Sequence, residues 1–117
     1  MRGVRKLRHL EIILEKVKPH PSPSPRLEQY TISARAAAKV LWFAGRTYDD
    51  IEGKVVLDFA CGTGRLGIGA ALLGAEFVVG VDVDVEALSV AVANAEEVGV
   101  AGYVDFLHAS IESLSIK

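Results

Sequence analysis

Lys54-Val55-Val56-Leu57-Asp58-Phe59-Ala60-Cys61-Gly62-Thr63-Gly64-Arg65-Leu66-Gly67 holds the strongest local pattern in this sequence. Three apolar residues, Val55, Val56 and Leu57, lead into an acid, and a glycine turn follows. This is a short buried strand running into a tight turn. Glycines at 62 and 64 allow positive φ and let another molecule approach the backbone. Arg65 to Leu73 then reads as a helix stopped by Gly74.

The pattern repeats downstream. Phe77-Val78-Val79-Gly80-Val81 is a second buried strand, and Asp84 can cap a helix over Val85–Val98, ended by Gly99. Tyr103 to Leu107 is a third strand. Strand, helix, strand, helix, strand predicts an α/β architecture with a parallel sheet and right-handed crossovers.

Upstream lie helices. Val4, Leu7, Leu10, Leu14 and Val17 fall at helical spacing. Prolines at 19, 21, 23 and 25 predict a stiff extended linker. Thr31 or Ser33 can cap a further helix running to about Ala44 and stopping at Gly45, with Ile32, Ala36, Val40 and Phe43 as its apolar face. The chain is expected to divide into 1–45, N-terminal helices with a Pro-rich linker at 19–25, and 46–117, the strand-containing unit.

The chain has 117 residues, enough for one domain. Its single cysteine, Cys61, excludes an internal disulfide, which fits a cytoplasmic setting. Glu11 and Glu15 interrupt the N-terminal apolar run, so it does not read as a signal peptide. The most apolar stretch, 66–81, contains Glu76 and four glycines and is too short to span a bilayer, so no membrane is expected. Charge is unevenly spread. Residues 1–65 carry 12 Lys/Arg against 7 Asp/Glu, and residues 66–117 carry one Lys against 8 acids. Arg2, Arg5, Lys6, Arg8, Lys16 and Lys18 can meet a polyanion such as RNA, or can simply form a solvated helix face.

A ligand of such a sheet binds outside the carboxyl ends of the strands. Two ligand classes compete there. Gly62-Thr63-Gly64-Arg65-Leu66-Gly67 fits G-x-G-x-x-G, with Asp82 eighteen residues beyond Gly64, as in dinucleotide sites. Asp58 argues the other way. A carboxylate at the mouth repels a pyrophosphate and favours S-adenosylmethionine, which carries an ammonium and a sulfonium. Asp82 suits a ribose diol in both cases. Plainer roles stand beside these: Asp58 as a turn-capping acid, Asp82 as a solvated loop acid, Asp84 as an N-cap. Cys61 has no histidine near it in sequence and reads as a small turn residue rather than a nucleophile. His9, His20 and His108 show no metal spacing, and no metal is expected.

Asp58 through Gly64 resembles the D-x-G-x-G-x-G motif of class I methyltransferases, and Val79 through Asp84 with Glu86-Ala87-Leu88 resembles their second motif. Leu27-Glu28-Gln29-Tyr30-Thr31 resembles the L-E-Q-Y-x-T segment of the archaeal and eukaryotic methyltransferase-like family that N6-methylates adenine in small-subunit ribosomal RNA. The resemblance implies a Rossmann-like class I methyltransferase fold, cut after the third parallel strand, with an N-terminal helical extension. It implies S-adenosyl-L-methionine as cofactor. Gln29, Tyr30 and Thr31 are then expected to close over the methionine end. Asp58, Ala60, Cys61, Gly62 and Gly64 line the turn, Asp82 binds the ribose, Val83 packs on the adenine, and Ser110 meets the adenine amino group.

This sequence departs from the family in several places. Ala60 replaces a usual glycine, Ser110 replaces a usual acid, and one residue fewer separates Tyr30 from Thr31. No Asn-Pro-Pro-Phe-type acceptor motif occurs, so no catalytic residue is expected in these residues. The implied function is donor binding for methyl transfer to rRNA adenine. A non-catalytic cofactor- or partner-binding half-domain and a nicotinamide-dinucleotide oxidoreductase fragment are the alternatives. The resemblance also implies a small zinc-binding activator protein as partner. Self-association through an exposed sheet edge is the other expected outcome. Asn94, the single asparagine, is expected inside a helix and away from the strand ends.

Overall fold

A computed structural model describes residues 3–22 and 32–110. Strands β1 (Val55–Phe59), β2 (Phe77–Asp82) and β3 (Val104–His108) form a parallel sheet in the order β1-β2-β3. Helix α3 (Arg65–Leu72) joins β1 to β2, and α4 (Val85–Glu97) joins β2 to β3. The strands and both crossover helices stand within a residue or two of where the apolar runs and glycine stops put them. Asp58 lies opposite Gly80, and Gly80 opposite Phe106.

Alternation assigns the two faces of the sheet. Val78 and Val104 are buried against the helices, with Val56 and Phe106 packed at the margin of the same core. On the opposite face Val55, Leu57, Phe59 and Leu107 are exposed among the described residues.

Helices α1 (Leu7–Leu14) and α2 (Ala34–Trp42) complete the core, where Leu10 and Leu14 meet Ile68, Leu72 and Val78. Each such side chain contributes roughly 1.5–3 kcal/mol on burial. Val4 and Val17 are buried as the helical spacing predicted, yet both lie outside α1. The chain enters through backbone bonds from Gly3 and Val4 to the Leu72 carbonyl, and leaves through a tightened turn at Lys16 and Val17.

Helix α2 corrects one expectation. Ser33 caps it, accepting from the Ala36 amide at 3.0 Å. Its inward stripe is Ala34, Ala37, Ala38 and Leu41, whereas Val40 and Phe43 are exposed. The reason is the closeness of α3: a Cβ on Gly69 would stand 2.2 Å from Leu41 Cδ1 and 3.3 Å from Leu14 Cδ1. Helices this close accept small side chains between them, so the bulkier apolar residues turn outward. The helix also runs past Gly45 in a π-helical turn, Phe43–Thr47, and Phe43 meets Tyr48 edge-on at 5.1 Å on the surface. No helix among the described residues is long and apolar enough to cross a membrane.

Candidate functional site

The carboxyl end of β1 and the start of α3 are joined by Ala60 to Gly64. Ala60 (φ 64°), Gly62 (φ 56°) and Gly64 (φ 92°) are all left-handed. Gly64 is required twice over, because a Cβ there would also press on Ile68, Ala91 and Phe106 at 3.3–3.4 Å. A Cβ at Gly62 would meet nothing within 4 Å, so the turn leaves open space beside its backbone. Ala60 holds the same kind of conformation with a Cβ attached, at a cost of roughly 1–2 kcal/mol.

Two carboxylates converge on this turn. The Asp82 side chain accepts the Gly62 amide at 2.8 Å through Oδ2 and the Asp84 amide at 2.9 Å through Oδ1. Each oxygen keeps a lone pair, enough to receive a hydroxyl. Asp58 is half-buried, and burial first, then the neighbouring Asp82 charge, push its carboxyl up to about 6. The mouth therefore suits a cation and hydroxyl donors and repels phosphate.

Cys61 sits behind the turn. Its amide donates to the Val81 carbonyl at 2.9 Å, and its buried Sγ packs where a side chain on Gly80 would stand. Burial, then the charges of Asp58 and Asp82, push the thiol up to about 12, so it is no nucleophile. Val83 is exposed beside Asp82. Its carbonyl bonds His108 Nε2 at 3.0 Å, and the Ala109 amide donates to the Asp82 carbonyl at 3.0 Å. These bonds carry the chain toward half-buried Ser110 at the same end of the sheet. Asp58, Ala60, Cys61, Gly62, Gly64, Asp82 and Val83 are thus brought together. Gln29, Tyr30 and Thr31 lie outside the described residues.

Three residues given no part in the site by the sequence reading prove to hold it. Asn94 is buried in α4, and its Nδ2 donates to the carbonyls of Thr63 and Lys18, both at 3.0 Å. This corrects its expected place away from the strand ends. An amide inside an alanine- and valine-rich helix was the available signal, because a buried polar group must find partners. Arg65 spreads its guanidinium over the carbonyls of Leu14 (3.1 Å), Val17 (2.6 Å) and Ile32 (2.6 Å). His20 Nδ1 accepts the Ser22 amide at 2.8 Å, so Nε2–H donates to Asp84 Oδ2, also at 2.8 Å. The other Asp84 oxygen caps α4, accepting from Glu86 and Ala87. Among the described residues no group of His, Cys, Asp and Glu could hold a metal ion.

A family model described as ribosomal protein L11 methyltransferase (PrmA) matches residues 45–114. The chain belongs to this methyltransferase family. Its relatives include the rRNA N(6)-adenosine-methyltransferase METTL5 of Danio rerio, 44% identical over 79% of this chain and 44% of the relative. Among solved structures, a proposed RNA methyltransferase of Pyrococcus horikoshii superposes with TM-score 0.87 at 38% identity, over 97% of this chain and 55% of that one. An RNA methyltransferase of Salinibacter ruber, solved with S-adenosyl-L-homocysteine, superposes with TM-score 0.56 at 27% identity, over 80% of this chain and 52% of that one. The β-α-β-α-β unit is therefore that of the class I methyltransferase fold. The chain spans about half the length of the relatives it matches.

Proposed function

We propose that this chain binds S-adenosyl-L-methionine for methyl transfer to RNA, with ribosomal adenine N6 as the acceptor. The observation that carries the donor reading is the pairing of Asp58 and Asp82 across an open glycine turn. The open space beside Gly62 fits a ligand lying against the backbone. Asp58 would face the ammonium, Asp82 would accept the ribose hydroxyls, and exposed Val83 would cover one adenine face. Ser110 would bond the adenine amino group. When bound, the donor supplies an activated methyl group on a sulfonium. The residues of this chain orient it and keep phosphate ligands out.

The RNA reading is supported by the relatives and by Arg5, Lys6, Arg8, Lys16 and Lys18, all exposed along α1 and its exit. Sequence-independent contact of this kind weakens as salt rises. Partner pairing is assigned to the outer edges of β1 and β3, which carry no further strand among the described residues. A small zinc-binding activator or a second copy of the chain would pair there.

Isothermal titration of the purified chain with S-adenosylmethionine, S-adenosylhomocysteine and NAD tests the donor reading. Binding of the first two and not the third is expected. Binding of NAD with neither of the others would overturn it.

A further inference from the structure

The stretch from Leu14 to His20 is fastened to the glycine turn and its neighbours by side-chain hydrogen bonds. Asn94 pairs with Lys18 as a strand would: the Lys18 amide donates to Oδ1 and the Lys18 carbonyl accepts from Nδ2, each at 3.0 Å. The second Nδ2 hydrogen goes to the carbonyl of Thr63, between the two turn glycines. Arg65, the first residue after the turn, holds the carbonyls of Leu14 and Val17 on one side and of Ile32 on the other. His20 reaches Asp84, whose amide donates to Asp82.

Asn94 and His20 thus end on the turn or on the Asp82 loop, and Arg65 reaches out from the residue that follows the turn. All three start from or reach for one seven-residue stretch, Leu14 to His20. A scaffold needing only a packed helix would bury Leu14 and Val17 and stop there. Buried amide and guanidinium groups are costly unless fully bonded, and here Asn94 bonds both the stretch and the Thr63 carbonyl of the turn, while Arg65 bonds the stretch from the residue that follows the turn.

We infer that Asn94 and Arg65 are positioning residues that set the glycine turn for the donor, so that docking of Leu14–His20 and donor affinity are coupled. The inference rests on the donor reading above. Coupling of this kind is reciprocal: what the docked stretch adds to donor affinity, the donor returns to docking.

The test uses the full 117-residue chain and S-adenosylhomocysteine as probe. Asn94→Asp keeps the shape but sets a carboxylate against the carbonyls of Lys18 and Thr63. It is expected to weaken probe binding at least 10-fold in chain that circular dichroism shows to be folded. Arg65→Lys, a milder change at a part-exposed site, is expected to weaken binding about 5-fold and decides the matter if Asn94→Asp does not fold. In the wild type, saturating probe should slow hydrogen exchange of the Lys18 amide, which a purely structural contact would leave unmoved. Folded variants binding within 2-fold of wild type would overturn the inference. So would probe that protects the Gly62 amide and leaves Lys18 unchanged. A wild type that binds no probe would remove the donor reading itself, and the inference with it.

Discussion

The Asp82 carboxylate holds the Gly62 amide at 2.8 Å, so the end of β2 fixes the turn that follows β1. On the donor reading proposed above, Asp82 has two tasks, shaping the turn and facing the ligand. Asp82→Ala should weaken S-adenosylhomocysteine binding by about 1.5–3 kcal/mol, the worth of a charge-assisted hydrogen bond. Calorimetry reads this as roughly 10- to 150-fold. Asp82→Asn keeps one acceptor oxygen and should fall between the two. Unchanged affinity in the alanine variant would remove Asp82 from the site.

Asp58 gives the site a pH dependence. Its carboxyl lies at about 6 in the folded chain against an ordinary 3.8, raised by burial and by Asp82. Between pH 4 and 6 the folded state holds the extra proton, so stability falls as pH rises through that window, by up to about 3 kcal/mol. Donor binding should run oppositely. With Asp58 facing the ammonium as proposed, the cationic ligand needs the carboxylate, so affinity should rise from pH 5 to 7 with release of a proton. Asp58→Asn should flatten the stability change between pH 4 and 6, measured by denaturant titration. It should also flatten the affinity profile at a lower level.

The contact between α2 and α3 makes a stability prediction. Gly69→Ala places a methyl 2.2 Å from Leu41 Cδ1 and should cost about 1–3 kcal/mol as an overpacked core. Leu41→Ala in the same chain removes the clash. The double variant should therefore be less destabilised than the sum of the single changes, a coupling that thermal unfolding can measure.

The 117-residue polypeptide, assayed by itself, should retain labelled donor and yet form no N6-methyladenosine on small-subunit ribosomal RNA. Adenine N6 is a weak nucleophile and must be held in line with the methyl carbon. Such placement supplies on the order of 7–11 kcal/mol of barrier reduction. No Asn-Pro-Pro segment occurs in this sequence, and its one asparagine, Asn94, is committed to Lys18 and Thr63. Nucleoside analysis showing turnover would overturn this prediction.

Much of this molecule is legible from its residues because punctuation is local. Glycines at 62, 64, 74 and 99 bound the elements, and Ser33 and Asp84 cap the helices that they were read to cap. The apolar face of α2 was misread, because which stripe of a helix turns inward depends on how near its neighbour comes. Alanines at 34, 37 and 38 look neutral until Gly69 is seen opposite. Arg65, Asn94 and His20 were missed for a related reason. Each bonds across 31 to 76 residues of sequence, and no spacing rule reaches that far.

Cys61 is also a reporter residue. It is the single thiol in the chain, buried behind the turn and held at about 12. An alkylating reagent at neutral pH meets almost no thiolate in the closed structure and an ordinary cysteine once the turn opens. The labelling rate is therefore a built-in clock for opening of the glycine turn, readable by mass alone and needing no engineered probe.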